Sequence, residues 1–139
     1  MASAIAEVLH AEVCSPEDVS AEKLAGYDLV GFGSGIYFGR FHSSLRQTIE
    51  DIRDGSQSHR KAFLFSTSGL PILWRLWHWP LRSRLLKKGF TIVGDFHCRG
   101  FDTVGPLWLL GGLNRRHPNE RDLHNAAAFA HQLSTCEDP

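Results

Sequence analysis

No stretch of the chain stays apolar long enough to span a bilayer. Fifteen Lys and Arg balance fifteen Asp and Glu, which removes the basic field expected of a nucleic-acid-binding domain. Cysteine is sparse: Cys14, Cys98 and Cys136 stand far apart with no CxxC pair. That spacing speaks against a disulfide framework or a zinc site and for reduced thiols in the cytoplasm. A basic start is also lacking. "MASAIAEVLHAEV" instead repeats Ala4, Ile5, Val8 and Leu9 at helical spacing, which predicts a helix and not a secretory leader. There are no internal repeats and no low-complexity segments. At 139 residues the chain suits one domain, able to bury about two-thirds of its unfolded surface.

"DLVGFGS" (28–34) and "KAFLFSTSG" (61–69) are apolar on both faces, as in strands covered by helices on each side of a parallel sheet. "FTIVGDFHC" (90–98) alternates, with Phe90, Ile92 and Phe96 on one face and Thr91, Asp95 and His97 on the other, which suits a sheet edge. A brief strand is predicted at "AEVC" (11–14), followed by the polar connection "SPEDVSAEKLAGYD". Helices are predicted from Ser43 or Ser44 as cap with Leu45, Ile49 and Ile52 inward, and from Pro80 to a stop at Gly89. A last helix is predicted from Asn119, with Asp122 three residues on and Leu123, Ala126, Ala127, Ala130 and Leu133 as its buried stripe. Strands alternating with helices imply right-handed crossovers and a parallel sheet, an α/β domain.

In such a sheet all strands end on one rim, and ligands sit outside those ends. "GSGIYFG" and "STSG" both follow strands and so belong to that rim. Turn chemistry alone explains Gly and Ser at one corner. Two such corners, one carrying Tyr37 and Phe38, also fit a flat aromatic ligand approached closely by backbone. "LPILWRLWHWPLRSRLLKK" (70–88) sets Trp74, Trp77 and Trp79 among five cations with no acid. These tryptophans either pack under a loop with arginines reaching outward, or face the ligand of the rim, an acidic partner or, least, a membrane surface. His124 and His131 lie seven apart and read as a solvated face, without a metal role. His97 and Cys98 are adjacent in a strand and cannot ligate together. No Ser-His-Asp set is singled out by the sequence.

"YDLVGFGSGIYFGRFHSSL", "KAFLFSTSG", "KKGFTIVGDFHCRGFDTVGP" and "GGLNRRHPNERDLHNAAAFA" together resemble the flavodoxin family, in particular its small single-domain members. The resemblance implies a three-layer flavodoxin-like sandwich over residues 1–133 with a tail at 134–139. It implies FMN bound on the sheet rim for electron transport in the cytoplasm, exchanging electrons with a redox partner protein, so an electron carrier more than a bond-making enzyme. The first ring-contacting loop maps onto Ser34, Gly35, Ile36, Tyr37, Phe38 and Gly39, and the second onto Ser66, Thr67, Ser68 and Gly69. "CRGFDTVGP" (98–106) would lie near the same rim.

The family pattern also begins with an apolar strand and a Ser/Thr/Gly-rich loop that wraps the FMN phosphate at a helix N-terminus. The sequence starts at "MASAIAEV", already inside that helix, so the first, central strand of the order 2-1-3-4-5 and its loop are expected to be missing, unless the natural start lies upstream of Met1. Losing three phosphate hydrogen bonds, at about 1.5–3 kcal/mol each, would weaken FMN by several powers of ten. The rival expectation is a non-catalytic interaction or scaffold protein of the same fold, without cofactor, acting as a strand-exchanging homodimer.

Overall fold

The computed structural model describes residues 1–69, 71–100 and 119–135. Helix α1 (Ala2–Leu9) is followed by a 3-10 turn at Pro16–Asp18 and the one-turn helix α2 (Ala21–Leu24). Then come β1 (Leu29–Tyr37), β2 (Arg40–Phe41), α3 (Ser43–Asp51), β3 (Lys61–Ser68), α4 (Trp74–Lys88), β4 (Thr91–Arg99) and α5 (Glu120–Thr135). The sheet order is β2-β1-β3-β4, with β1, β3 and β4 parallel and β2 antiparallel to β1. This is the expected flavodoxin-like α/β arrangement, and β4 is an edge among the described residues. No helix among them is long and apolar enough to cross a membrane.

Strand parity divides the core. Ala62, Leu64 and Phe32 face α3 and α4, where they join Leu45, Ile49, Leu81, Leu85 and Phe90. Phe63 and Phe65 face the opposite layer, where Phe63 packs with Ile5 of α1 and Ala126, Ala130 and Leu133 of α5. Their rings lie over Gly31 and Gly33, where a Cβ would come within 2.4 Å and 2.2 Å of them. The glycines of β1 are thus the floor on which neighbouring phenylalanines pack.

Several expectations are corrected. Residues 11–14 form no strand: the chain leaves α1 through His10 at φ 51°, and Glu12 bonds to Lys23 and Tyr27. A strand needs a ladder neighbour, and none among the described residues pairs with this segment. Helix α4 begins at Trp74, six residues before the expected Pro80. The proline removes only the bond to the carbonyl of Leu76, on a face where both residues are exposed and water can take its place. In β4 a bulge opens beside Ala62/Phe63: Ala62 pairs with Ile92 but Phe63 with Gly94. The extra residue flips the strand's parity, so Ile92 packs toward α4 while Phe96 joins the α5 layer, opposite faces instead of one. The cap of α3 is His42, whose Nδ1 accepts from the Ser44 N–H, and α5 runs on through Ser134 and Thr135 of the expected tail. Residues 136–139 lie outside the described residues.

Helix α5 starts as its sequence directs. Asn119 Oδ1 accepts from the Asp122 N–H at 3.0 Å, and Asp122 Oδ2 accepts from the Asn119 N–H at 2.9 Å, a reciprocal capping box. Asn119→Ala is expected to lower stability by about 1 kcal/mol, read by thermal denaturation. An unchanged midpoint would show that tertiary packing alone sets the helix start. Of the expected stripe, Ala126, Ala130 and Leu133 are buried, Leu123 is 38 % exposed, and Phe129 packs in its stead.

Candidate functional site

The C-terminal ends of β1, β3 and β4 form one rim. Register places Ser34 beside Ser66 and Gly35 beside Thr67, with Ser66 beside His97 and Ser68 beside Arg99 on the other side of β3. The two Gly/Ser segments therefore lie on adjacent strands. "GSGIY" is strand and not loop: β1 overshoots, and Ile36 and Tyr37 pair with Phe41 and Arg40. The turn is only Phe38 and Gly39, at φ 49° and 73°. Two consecutive positive φ values make the tight hairpin turn whose twist matches the strands it joins. A Cβ on Gly39 would also sit 3.0 Å from Trp77 Nε1, so the indole seals the back of the hairpin.

The hairpin leaves Tyr37 51 % and Phe38 88 % exposed. Ser34 holds it in place: its Oγ donates to the Gly35 carbonyl at 2.7 Å and accepts from the His42 N–H at 3.1 Å. The rim thus brings together the backbone of residues 34–39 and 67–69. Ile36 packs into the core. The hydroxyls of Ser66 and Ser68 lie beneath, on the α4 face, and Thr67 faces the other layer, where a Cβ on Gly100 would come within 2.9 Å of its own. Gly69 is buried. Of 98–106, residues 98–100 end β4 and the rest lie outside the described residues.

Under the rim sits a polar cluster that sequence reasoning missed. Ser66, with 0 % exposure, places Oγ 2.6 Å from His78 Nε2 and 3.0 Å from His97 Nδ1. His97 Nε2 is 3.2 Å from Ser68 Oγ, and His78 Nδ1 is 3.1 Å from Asp95 Oδ1. Arg82 pairs with the other oxygen of Asp95. Trp74 stacks on His97 at an interplanar angle of 7°, and the Arg75 guanidinium lies over Trp74. Burial, followed by the neighbouring His78, pushes the His97 imidazole down from 6.5 to about 4, so it is neutral near pH 7. Asp95 and Arg82 line an open pocket with Trp74, Arg75, His78 and Trp79.

Serine, histidine and aspartate here have the order of a hydrolase triad. They do not have its access: Ser66 is sealed from solvent and its hydroxyl is shared by two imidazoles. The cluster was legible only in part. Parallel register puts Ser66, Asp95 and His97 on one face, but His78 joins them only because α4 begins before Pro80.

Trp74 and Trp77 are half-buried, while Trp79 is 67 % exposed, and Arg82 and Arg84 are spent on Asp95 and Glu50. Cys98 is buried, and burial with the charge of Asp122 pushes its thiol up to about 12, which makes it unreactive. His124 and His131 are exposed, and no metal-holding group of three or more His, Cys, Asp or Glu occurs among the described residues.

Known proteins resemble this chain in sequence or in fold. The uncharacterized protein MJ0298 of Methanocaldococcus jannaschii is 44 % identical over 133 residues, covering 96 % of this chain and 87 % of its own. Among solved structures, a flavodoxin from the domain Archaea superposes with a TM-score of 0.61 at 14 % identity, over 96 % of this chain and 85 % of that one. An NADH:FMN oxidoreductase, EMOB, in its apo form, superposes at 0.57 and 17 % identity, over 95 % and 79 %. These two likenesses show the fold. The Flavodoxin domain family matches residues 1–71, and by that match, with a relative 44 % identical over nearly its whole length, the chain belongs to the flavodoxin domain family.

Proposed function

We propose that the domain, residues 1–133 and the helix end that follows, binds a flavin, FMN in the family pattern, with its ring on the rim, and serves in electron transfer with a partner protein. The observation that carries this reading is the adjacency of Gly35 and Thr67, which puts the strand end carrying the exposed Tyr37 and Phe38 on the same rim as residues 67–69. A flat ring needs an aromatic platform and a close approach of backbone; the exposed Tyr37 and Phe38 suit the first and the small residues of the rim the second. The fit is to the ring half of the cofactor. At the first helix, Met1 caps α1 with no side-chain hydrogen bond, so the described residues offer no hydroxyl cradle for a phosphate there. When bound, a flavin takes up and returns electrons and protons; the chain's own part is to stack the ring, exclude water from one face and present the backbone of residues 67–69 at its edge.

Titration of the purified protein with FMN and with riboflavin, read by quenching of flavin fluorescence, tests this. Both are expected to bind, with FMN favoured by less than about tenfold because the described residues add little for its phosphate. Tyr37→Ala with Phe38→Ala is expected to weaken both by about tenfold, since ring stacking contributes about 0.5–1.5 kcal/mol per pair. Well-folded protein that leaves the fluorescence of both flavins unchanged at about 1 mM overturns the reading.

A second reading has an observation of its own. Leu29–Gly35 are paired along one side by β3, and on the other side, among the described residues, β1 is paired only at Ile36 and Tyr37. Such an edge suits strand addition by a second copy, making the domain an interaction module without cofactor. Concentration-dependent dimerisation in sedimentation, with no flavin bound, favours it.

A further inference from the structure

We propose that Ser68, His97, Ser66, His78 and Asp95 form a proton relay between the sheet rim and the pocket beside Arg82; as a relay serving the flavin, it rests on the reading above.

The donor roles follow from chemistry. The Asp95 carboxylate only accepts, so His78 must carry its proton on Nδ1, 3.1 Å away. His78 Nε2 is then a lone pair and accepts the Ser66 hydroxyl at 2.6 Å. Ser66 Oγ, having given its proton to His78, accepts from His97 Nδ1–H at 3.0 Å. That leaves His97 Nε2 to accept the Ser68 hydroxyl at 3.2 Å. All four bonds therefore point the same way, from the last residue of β3 to Asp95. A purely structural cluster needs its groups satisfied; it does not need them satisfied in series.

One proton passes as follows. A proton reaching Ser68 Oγ releases the hydroxyl's own proton to His97 Nε2. His97 gives its Nδ1 proton to Ser66 Oγ, Ser66 gives its own to His78 Nε2, and His78 gives its Nδ1 proton to Asp95. Asp95 returns it to solvent in the pocket. Each intermediate group gains one proton and loses one, so no charge stays inside. The chain then stands reversed, with Nε2–H on both imidazoles, and is set to carry the next proton inward. A cofactor that gains protons when a partner protein reduces it and loses them when reoxidised needs this alternation.

The surroundings preserve it. His97 is faced by Trp74 and His78 from α4 and by Ser66 and Ser68 from β3, and its neutral state near pH 7 keeps one nitrogen free to accept. His78 is faced by Trp74 of its own helix, Phe41 of β2, and Asp95 of β4. Among the described residues the charged groups around the chain are Asp95 itself, Arg82 against it, Arg75 over Trp74, and Arg99 in register with Ser68.

The test begins with the flavin-free protein and nitrogen NMR of its histidines. Both His78 and His97 are expected as Nδ1–H tautomers. Asp95→Asn is expected to loosen the tautomer of His78 and, through Ser66, that of His97, which Asp95 does not touch. In a Ser66→Ala background the effect of Asp95→Asn on His97 is expected to vanish. If Asp95→Asn moves His78 alone, or moves His97 equally with and without Ser66, the relay is overturned. A second arm uses added FMN reduced by light, with proton release on its reoxidation by oxygen followed by an indicator dye. Asp95→Asn is expected to slow release about tenfold at unchanged FMN affinity, and unchanged release overturns the relay. Should wild-type protein bind no FMN, the flavin reading fails and the transmitted effect on His97 decides the relay by itself.

Discussion

Gly89→Ala is expected to lower the melting temperature by about 10 °C, corresponding to about 3 kcal/mol for a domain of this size. The end of α4 explains why. Gly89 follows Lys88 at φ 103°, its N–H donates to the Leu86 carbonyl at 3.0 Å, and the next residue, Phe90, reaches back to the Leu85 carbonyl at 3.1 Å. Leu85 and Phe90 meet in the same core cluster, completing a Schellman stop. An alanine pays for the left-handed backbone, and its Cβ would also stand 2.9 Å from the Ser58 nitrogen and 3.2 Å from the Gln57 carbonyl carbon. Those atoms are not free to retreat, because Gly55 and Gln57 donate backbone N–H bonds to the Lys87 and Lys88 carbonyls at 3.1 and 3.0 Å. Gly55→Ala separates the two causes. Gly55 has a similar backbone, at φ 70°, but nothing lies within 4 Å of an added Cβ, so it should cost about 1 kcal/mol. Equal melting temperatures for the two variants would show that backbone strain alone, without the packed loop, sets the cost at Gly89.

How far the sequence could be read depended on the kind of signal. Gly89 and the Asn119–Asp122 pair each act within one turn of helix, and both do what local chemistry says. The doubly apolar strands also declared themselves, because β1 and β3 must be covered on both faces. What escaped was set by partners distant in sequence. The bulge in β4 leaves no mark in the alternation of residues 90–98, so that alternation puts Phe96 on the wrong face. Residues 11–14 have strand composition but no neighbour to bond, and composition cannot report a missing neighbour. Pro80 looks like a helix start, yet a helix tolerates it on an exposed face, and a start there leaves out His78 and with it the buried cluster. The rim itself was legible as two small-residue segments. That the first is a strand ending in a two-residue turn depends on β2, too short to notice in sequence.

Between pH 6.5 and 4.5 the folded protein is expected to lose about 2 kcal/mol of stability through His97. The displacement of its imidazole to about 4 amounts to about 3 kcal/mol over the whole titration, of which about 2 kcal/mol falls within this interval. The sign follows from proton counting. Below pH 6.5 the unfolded chain binds a proton at this residue and the folded chain does not, so acid favours unfolding; near pH 4 the folded ring also protonates and the effect stops growing. Groups with depressed values act lower on the scale. Glu12, held down chiefly by its bond to Lys23, and Asp54, held down chiefly by Lys88, begin from ordinary values of 4.5 and 3.8, so their stabilisation is lost only on further acidification. The interval above 4.5 therefore reports on histidine. Urea unfolding at successive pH values, in wild type and in His97→Gln, measures it. The wild-type free energy should fall across this interval by about 2 kcal/mol more than that of the variant, which has no proton to take up there. Parallel curves would mean that position 97 takes up no proton on unfolding, and that the imidazole under Trp74 is as easily charged in the folded protein as in water.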